Sequence, residues 1–156
     1  MKVSLHLYYY KLYRIRLILL IVFINMKKAL RLLLIAFYAF AGSYHFINPD
    51  FYRDLIPGYL PFPAFINYAS GVLEIVLGIG VAIPKYRTRA AKGIILLLIL
   101  FIPSHIYFIQ IGSCVEDGLC VAPWIAWLRL IIIHPLLMLW AWSVTPIPEF
   151  RHPKKA

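Results

Sequence analysis

Glu74 stands in the middle of Ala64–Ile83, an apolar stretch otherwise long and greasy enough to cross a membrane. An ionisable carboxyl at that depth costs at least ~2.5 kcal/mol on insertion scales, so it requires a partner or a task. Three further apolar stretches each carry a histidine: His45, His105 and His134. A carboxyl and imidazoles sharing an apolar interior are the groups that deliver and accept protons. Glu74, His45 and His134 are therefore the catalytic candidates. Tyr38, Asn67, Ser70, His105 and Arg129 are the candidates for holding a ligand beside them. Structural roles compete with each of these. Glu74 could pair with His134 or Arg129 as internal glue. His134 could bond a carbonyl freed by the neighbouring proline, and Arg129 could snorkel to the interface.

These groups are carried on four expected helices. The first runs Lys28–Ile47, the second Ala64–Ile83, the third Ala90–Ile111 and the fourth Trp124–Val144, each near the ~20 residues a bilayer core demands. Pro84 stops the second helix, and Pro123 introduces the fourth. On the second helix Asn67, Ser70, Gly71, Glu74 and Gly78 recur at spacings of three, four and seven, one small-and-polar stripe. Such a stripe faces other helices, because small residues let backbones approach. Tyr38, Ala41, Gly42 and His45 make a matching stripe on the first helix. Pro103-Ser104-His105 predicts a kink in the third helix, and His134-Pro135 lies near the middle of the fourth. At ~1.5 Å per residue, Glu74 and His134 fall near the midplane and His45, His105 and Arg129 nearer one boundary. The expectation is a cavity open to the outside and closed towards the cytoplasm.

Composition sets the class. The 156 residues are 63% hydrophobic and 14% charged, against ~45–50% and ~25% for soluble domains. Sixteen Lys and Arg against six Asp and Glu could suggest nucleic acid, but the cations cluster beside apolar runs, which is the pattern of membrane topology. Lys27, Lys28 and Arg31 precede the first helix, Lys85, Arg87, Arg89 and Lys92 join the second to the third, and Arg151, Lys154 and Lys155 close the chain. The positive-inside rule then places both termini in the cytoplasm of a plasma or inner membrane, with the 48–63 and 112–123 loops outside. The sequence thus predicts an all-α, four-transmembrane-helix bundle over residues 28–145. A basic N-terminal extension over 1–27 and a cytoplasmic basic tail over 146–156 flank it.

Three segments carry further readings. In the extension, MKVSLHLYYYKLYRIRLILLIVFIN has an apolar run too short to span and no small-residue cleavage site. Met26 is a candidate true start, and an amphipathic cytoplasmic anchor is the competing account. The loop NPDFYRDLIPGYLPFP holds four prolines and is too apolar to float free, so an interfacial or re-entrant placement is expected. Within it Asn48-Pro49-Asp50 reads as a helix-ending turn that starts a short helix. Cys114 and Cys120, in CVEDGLC, fit neither a redox CxxC nor a zinc pattern. Outside the cytoplasm a structural disulfide is the leading reading, a reversible redox pair the next, and free thiols the third. No metal site is expected.

With these residues in place, the chain resembles the DoxX-like family of small four-helix membrane proteins. The resemblance rests on FAGSYHFINPDFYRDLIPGYLPFP (Phe40–Pro63), SGVLEIVLGIGVAIPKYRTRAAKG (Ser70–Gly93), IPSHIYF (Ile102–Phe108), WLRL (Trp127–Leu130) and WAW (Trp140–Trp142). It implies that His45, Glu74 and Arg129 match polar positions of that family. Ser104-His105 departs from its usual Ala-Asn, and the glutamine usual after Arg-Leu-Pro-Leu on the last helix is missing here. The CVEDGLC loop lies outside the pattern. The family spans redox subunits and assembly helpers, so the implied function is a membrane or accessory subunit of a quinone- or thiol-linked redox system. The alternative is a non-enzymatic assembly helper, chaperone or hydrophobic-ligand binder. A quinone is the cofactor candidate, and no flavin, haem or iron–sulfur motif is present. Expected partners are the lipid bilayer and a membrane or redox protein, with a homodimer compatible and nucleic acid not expected.

Overall fold

Neither proline nor glycine occurs between Lys2 and Ala41, and the computed structural model accordingly carries one uninterrupted helix there. It describes residues 2–115 and 118–145. Helix α1 spans Lys2–Ile47, 46 residues. At ~1.5 Å per residue it is about 69 Å long, more than twice a bilayer core. The expected separation between an N-terminal extension and a first helix starting at Lys28 is absent: nothing around Asn25–Met26 breaks the hydrogen-bond ladder. Packing nevertheless changes there. Side chains 10–26 are exposed, and from residue 10 onward the first fully buried one is Leu34. The basic tail expected over 146–156 lies outside the described residues.

Pro49 ends α1 because it cannot donate to its ladder, and it starts α2 (Pro49–Arg53) with Asn48 at the cap position. Helices α3 (Pro63–Ala82) and α4 (Arg87–Gln110) follow, joined through Ile83–Tyr86, where Arg87 Nε donates to the Val81 carbonyl at 3.1 Å. Pro103 stays inside α4. The last span, Pro123–Ser143, is three consecutive pieces: α5 (Pro123–Leu128), a π-helical turn (Arg129–Ile133) and α6 (His134–Ser143). Among the described residues, three helices are long and apolar enough to cross a membrane: Pro63–Ala82, Arg87–Gln110 and Pro123–Ser143.

Around the bundle α1 packs on α3, α3 on α4, α4 on α6, and α6 closes back on α1. The core at the end bearing the Lys85–Arg89 turn is built from Leu34, Tyr38, Val81, Ile94 and Leu98, with Ala90, Ala91 and Ala141 admitting close backbones. Here Trp140 Nε1 donates to the Leu30 carbonyl at 3.0 Å, tying the last helix to the first. The outward faces, such as Val72, Leu73, Val76 and Ile79 on α3, remain exposed and apolar, the pattern of surfaces meant for lipid.

At the opposite end α4 finishes in a Schellman turn. The Ser113 N–H reaches the Phe108 carbonyl at 2.8 Å and the Gly112 N–H reaches Ile109 at 3.1 Å, with Gly112 at φ 82°. Glycine is suited to that left-handed position because it has no Cβ to clash. The turn delivers the chain into the disulfide loop between Cys114 and Cys120.

Candidate functional site

The polar stripe read along the second apolar stretch is the buried face of α3: Asn67, Ser70, Gly71, Glu74 and Gly78 are all buried. Its counterpart on α1 is Leu34, Tyr38, Gly42 and His45, spaced four, four and three. The two faces meet through glycine. A Cβ added at Gly71 would stand 2.7 Å from His45 Cβ and 2.8 Å from the Gly42 carbonyl oxygen, and one at Gly42 would stand 2.7 Å from the Gly71 oxygen. The helices touch backbone to backbone. That approach places His45 and Glu74, on different helices, side by side.

His45 is held from two directions. Its Nδ1–H donates to Asn67 Oδ1 at 2.7 Å, while Asn67 Nδ2 donates back to the His45 carbonyl at 3.0 Å. The reciprocal pair fixes the ring and commits Nδ1 to carrying a proton. Nε2 is then the titrating nitrogen, and it faces Glu74 Oε2 at 3.6 Å. One movable proton belongs to this pair, either on the imidazole as an ion pair or on the carboxyl as a neutral one. At 3.6 Å the two atoms are too far apart for a strong direct bond and close enough to share an intervening oxygen. Glu74 Oε2 and the Tyr38 hydroxyl are both buried with no hydrogen-bond partner among the described residues. In native interiors such atoms are rare, and each demands an explanation such as a bound water or ligand.

The cavity expected to open towards the loops is covered. Tyr52 of α2 lies flat on the His45 ring, centroids 3.7 Å apart and planes 8° from parallel. Its phenol feels both Glu74 and Arg129. Burial pushes its pKa from about 10 up to about 12, with Glu74 and Tyr44 adding to the effect and Arg129 opposing it. Tyr52 was not legible as a site residue. The only signal was its place four residues after Asn48 in the short helix that Asn48-Pro49 starts.

His105, His134 and Arg129 form a second cluster, on α4 and the last span. The two imidazole rings meet edge to face at 4.8 Å. His134 does not pair with Glu74. Its Nε2–H donates to the Leu98 carbonyl of α4 at 2.7 Å, a cross-helix bond in place of the expected one to a carbonyl freed by Pro135 on its own helix. The π turn sets its rotation relative to Arg129. Residues five apart in an α-helix point about 140° apart. Here the His134 N–H bonds the Arg129 carbonyl, and the wider turn rotates the histidine back towards the arginine's side. Pro135, which has no N–H to donate, follows immediately. Arg129 is half-buried, and among the described residues it makes no salt bridge, so neither proposed partner pairing of Glu74 is realised. α1 makes no close backbone approach to α5 or to the π turn. The seam between the helix of His45 and that of Arg129 is spanned at this end by Tyr52.

The family described as Domain of unknown function (DUF8561) matches residues 34–145, more than two thirds of the chain. The chain belongs to that family. No curated protein and no solved structure matches it. The DUF8561 segment begins at Leu34, where α1 first becomes buried, and contains every residue of both polar clusters and the disulfide loop. The exposed stretch 10–26 of α1 lies before it.

Proposed function

We propose that this DUF8561 protein is a membrane-embedded subunit of a quinone-linked redox system, and that the quinone headgroup is taken up beside His45, Glu74 and Tyr38. The observation that carries the reading is the pair of buried, unpartnered oxygens, Glu74 Oε2 and the Tyr38 hydroxyl, next to an imidazole whose other nitrogen is locked by Asn67. Reducing a quinone to a quinol adds two electrons and two protons, one proton per carbonyl oxygen. A His–Glu pair with one movable proton is suited to supply one of them to the carbonyl beside it, with the Tyr38 hydroxyl donating a hydrogen bond to that oxygen. The other carbonyl takes its proton from elsewhere. Arg129, half-buried near Tyr52, would stabilise negative charge developing on the reduced ring. The seam between α1 and the π turn offers a lipid-soluble molecule a lateral route. Electrons come from a partner protein.

The reading includes a topology. Residues 28–47 of α1 form a fourth span, both termini are cytoplasmic, and α2 lies in the outer interface of a plasma or inner membrane. Support comes from the cations at the Lys85–Arg89 turn and from Lys27, Lys28 and Arg31 within α1. The resemblance to DoxX-like redox subunits points the same way.

The test is native mass spectrometry of gently solubilised protein, with organic extraction of whatever it holds. Bound quinone in the wild type, lost in Glu74→Ala, is the expected result. A quinone-free protein arriving with a second polypeptide would overturn the reading in favour of an assembly helper whose polar core serves packing.

A further inference from the structure

The disulfide loop is closed by its backbone as well as by sulfur. Outside the cysteines, the Val121 N–H donates to the Ser113 carbonyl at 2.9 Å, and inside them the Val115 N–H donates to Leu119 at 3.0 Å. Ser113 itself is fully buried and anchored by the Schellman turn. Cross-linking so short a loop also removes little chain entropy compared with a long one. A staple is therefore poorly placed here. Both cysteines are exposed. Exposed disulfides are the ones open to thiol exchange.

Each cysteine borders its own cleft. Cys120 lines one of about 440 Å³, facing Asp50, Phe51 and Asp54 of α2 and its end. Cys114 lines another of about 510 Å³, with Arg53 and Tyr107 on its wall. A thiolate approaching through the first cleft meets Cys120 and drives out Cys114 into the second, which is bordered by Asp54 and by Arg53, itself paired with Asp50. The charged side chains lining the first cleft are Asp50 and Asp54, with Asp50 also holding the Arg53 guanidinium at 2.7 Å. Adjacent residues of α2 then serve two sites, Phe51 at this cleft and Tyr52 on His45.

We propose that Cys114–Cys120 is a thiol–disulfide exchange site that accepts two electrons from a basic, dithiol-bearing polypeptide docked in the cleft between α2 and the loop. One partner thiolate attacks Cys120 Sγ, the Cys114–Cys120 bond breaks, and Cys114 leaves as thiolate. The second partner thiolate then attacks the partner sulfur of the mixed disulfide and releases Cys120. The partner ends as a disulfide, and the two protons its thiols lost balance those gained by Cys114 and Cys120. Return of the pair to the disulfide passes two electrons and two protons to a quinone. This step rests on the quinone reading above, whereas the exchange step needs only the exposed loop.

The test uses the full chain in lipid nanodiscs, with disulfide reduction followed by maleimide gel shift. The probes are a dithiol peptide flanked by lysines, the same peptide flanked by glutamates, and dithiothreitol. The lysine peptide should react at least about tenfold faster than the glutamate peptide, and an Asp50→Asn, Asp54→Asn double variant should erase most of that ratio. Dithiothreitol, being uncharged, should change by less than about twofold in that variant. Cys114→Ser, which leaves Cys120, should trap a mixed disulfide with the oxidised lysine peptide in preference to Cys120→Ser. Equal rates for the two peptides, or a disulfide that resists all three probes until the protein is denatured, would overturn the proposal. Quinone content is scored in the same preparation. Selective exchange without quinone defeats the quinone reading alone, and bound quinone with unselective exchange defeats the exchange site alone.

Discussion

Gly71→Ala adds one methyl group at the point where α1 and α3 touch. The new Cβ would lie 2.7 Å from His45 Cβ, 2.8 Å from the Gly42 oxygen and 2.9 Å from Phe46 Cε2. Non-bonded carbons rest at about 3.5–4.0 Å, so the shortfall is close to 1 Å on more than one side. Neither His45 Cβ nor the Gly42 oxygen can swing away, since both are fixed to the α1 backbone. The helix itself must recede. A gap of 0.5–1 Å forfeits about a quarter to a half of each contact's attraction, and overpacking of this kind costs about 1–3 kcal/mol. In a chain of this size that is a fall in melting temperature of roughly 2–12 °C. The recession also carries His45 away from Glu74, so ligand retention should drop with stability. Gly58→Ala is the control: its added Cβ meets nothing within 4 Å. Thermal unfolding of both variants in one detergent, followed by tryptophan fluorescence, checks the pair. If Gly71→Ala melts with the wild type, as Gly58→Ala should, the glycine-mediated contact is wrong, and with it the placement of the site.

Four other outcomes follow from the same geometry. Nitrogen-detected NMR of selectively labelled histidines should find His45 protonated at Nδ1 and His134 at Nε2; opposite tautomers would remove the one-proton argument for the Glu74 pair. His134→Phe should cost about 1–2 kcal/mol through the lost bond to Leu98, yet leave ligand held near Glu74 unchanged; extraction of the purified variant decides it. Tyr52 binds its proton more tightly folded than unfolded, so the stability it contributes is fully present below pH ~10 and declines as pH rises from about 10 towards about 12. Tyr52→Phe should flatten that decline in an alkaline melting series. Gly112→Ala should cost about 1–2 kcal/mol, since only the left-handed conformation at φ 82° closes the Schellman turn, and a denaturation series would measure it.

The membrane class and the polar face of α3 were decided by the sequence alone, because both depend on local composition and helical period. Asn67, Ser70, Gly71, Glu74 and Gly78 recur at the helix repeat, so any folded arrangement had to bury them together. Pro123 similarly marks the start of the last span by backbone chemistry that no neighbour need supply. Depth along a helix could be counted too, but which groups meet across helices could not. A residue count left Glu74 free to face His134 or Arg129. The close approach of Gly42 and Gly71 gave it to His45 instead, and the π turn aimed His134 at α4 and Arg129's side. Tyr52 reached the site only because α2 folds back over the bundle, and α1 runs straight through the expected boundary near Met26. Period and end signals act over a few residues and are written in the chain. The rotation of one helix against another is set by the sum of contacts along both, and only the tertiary structure contains that sum.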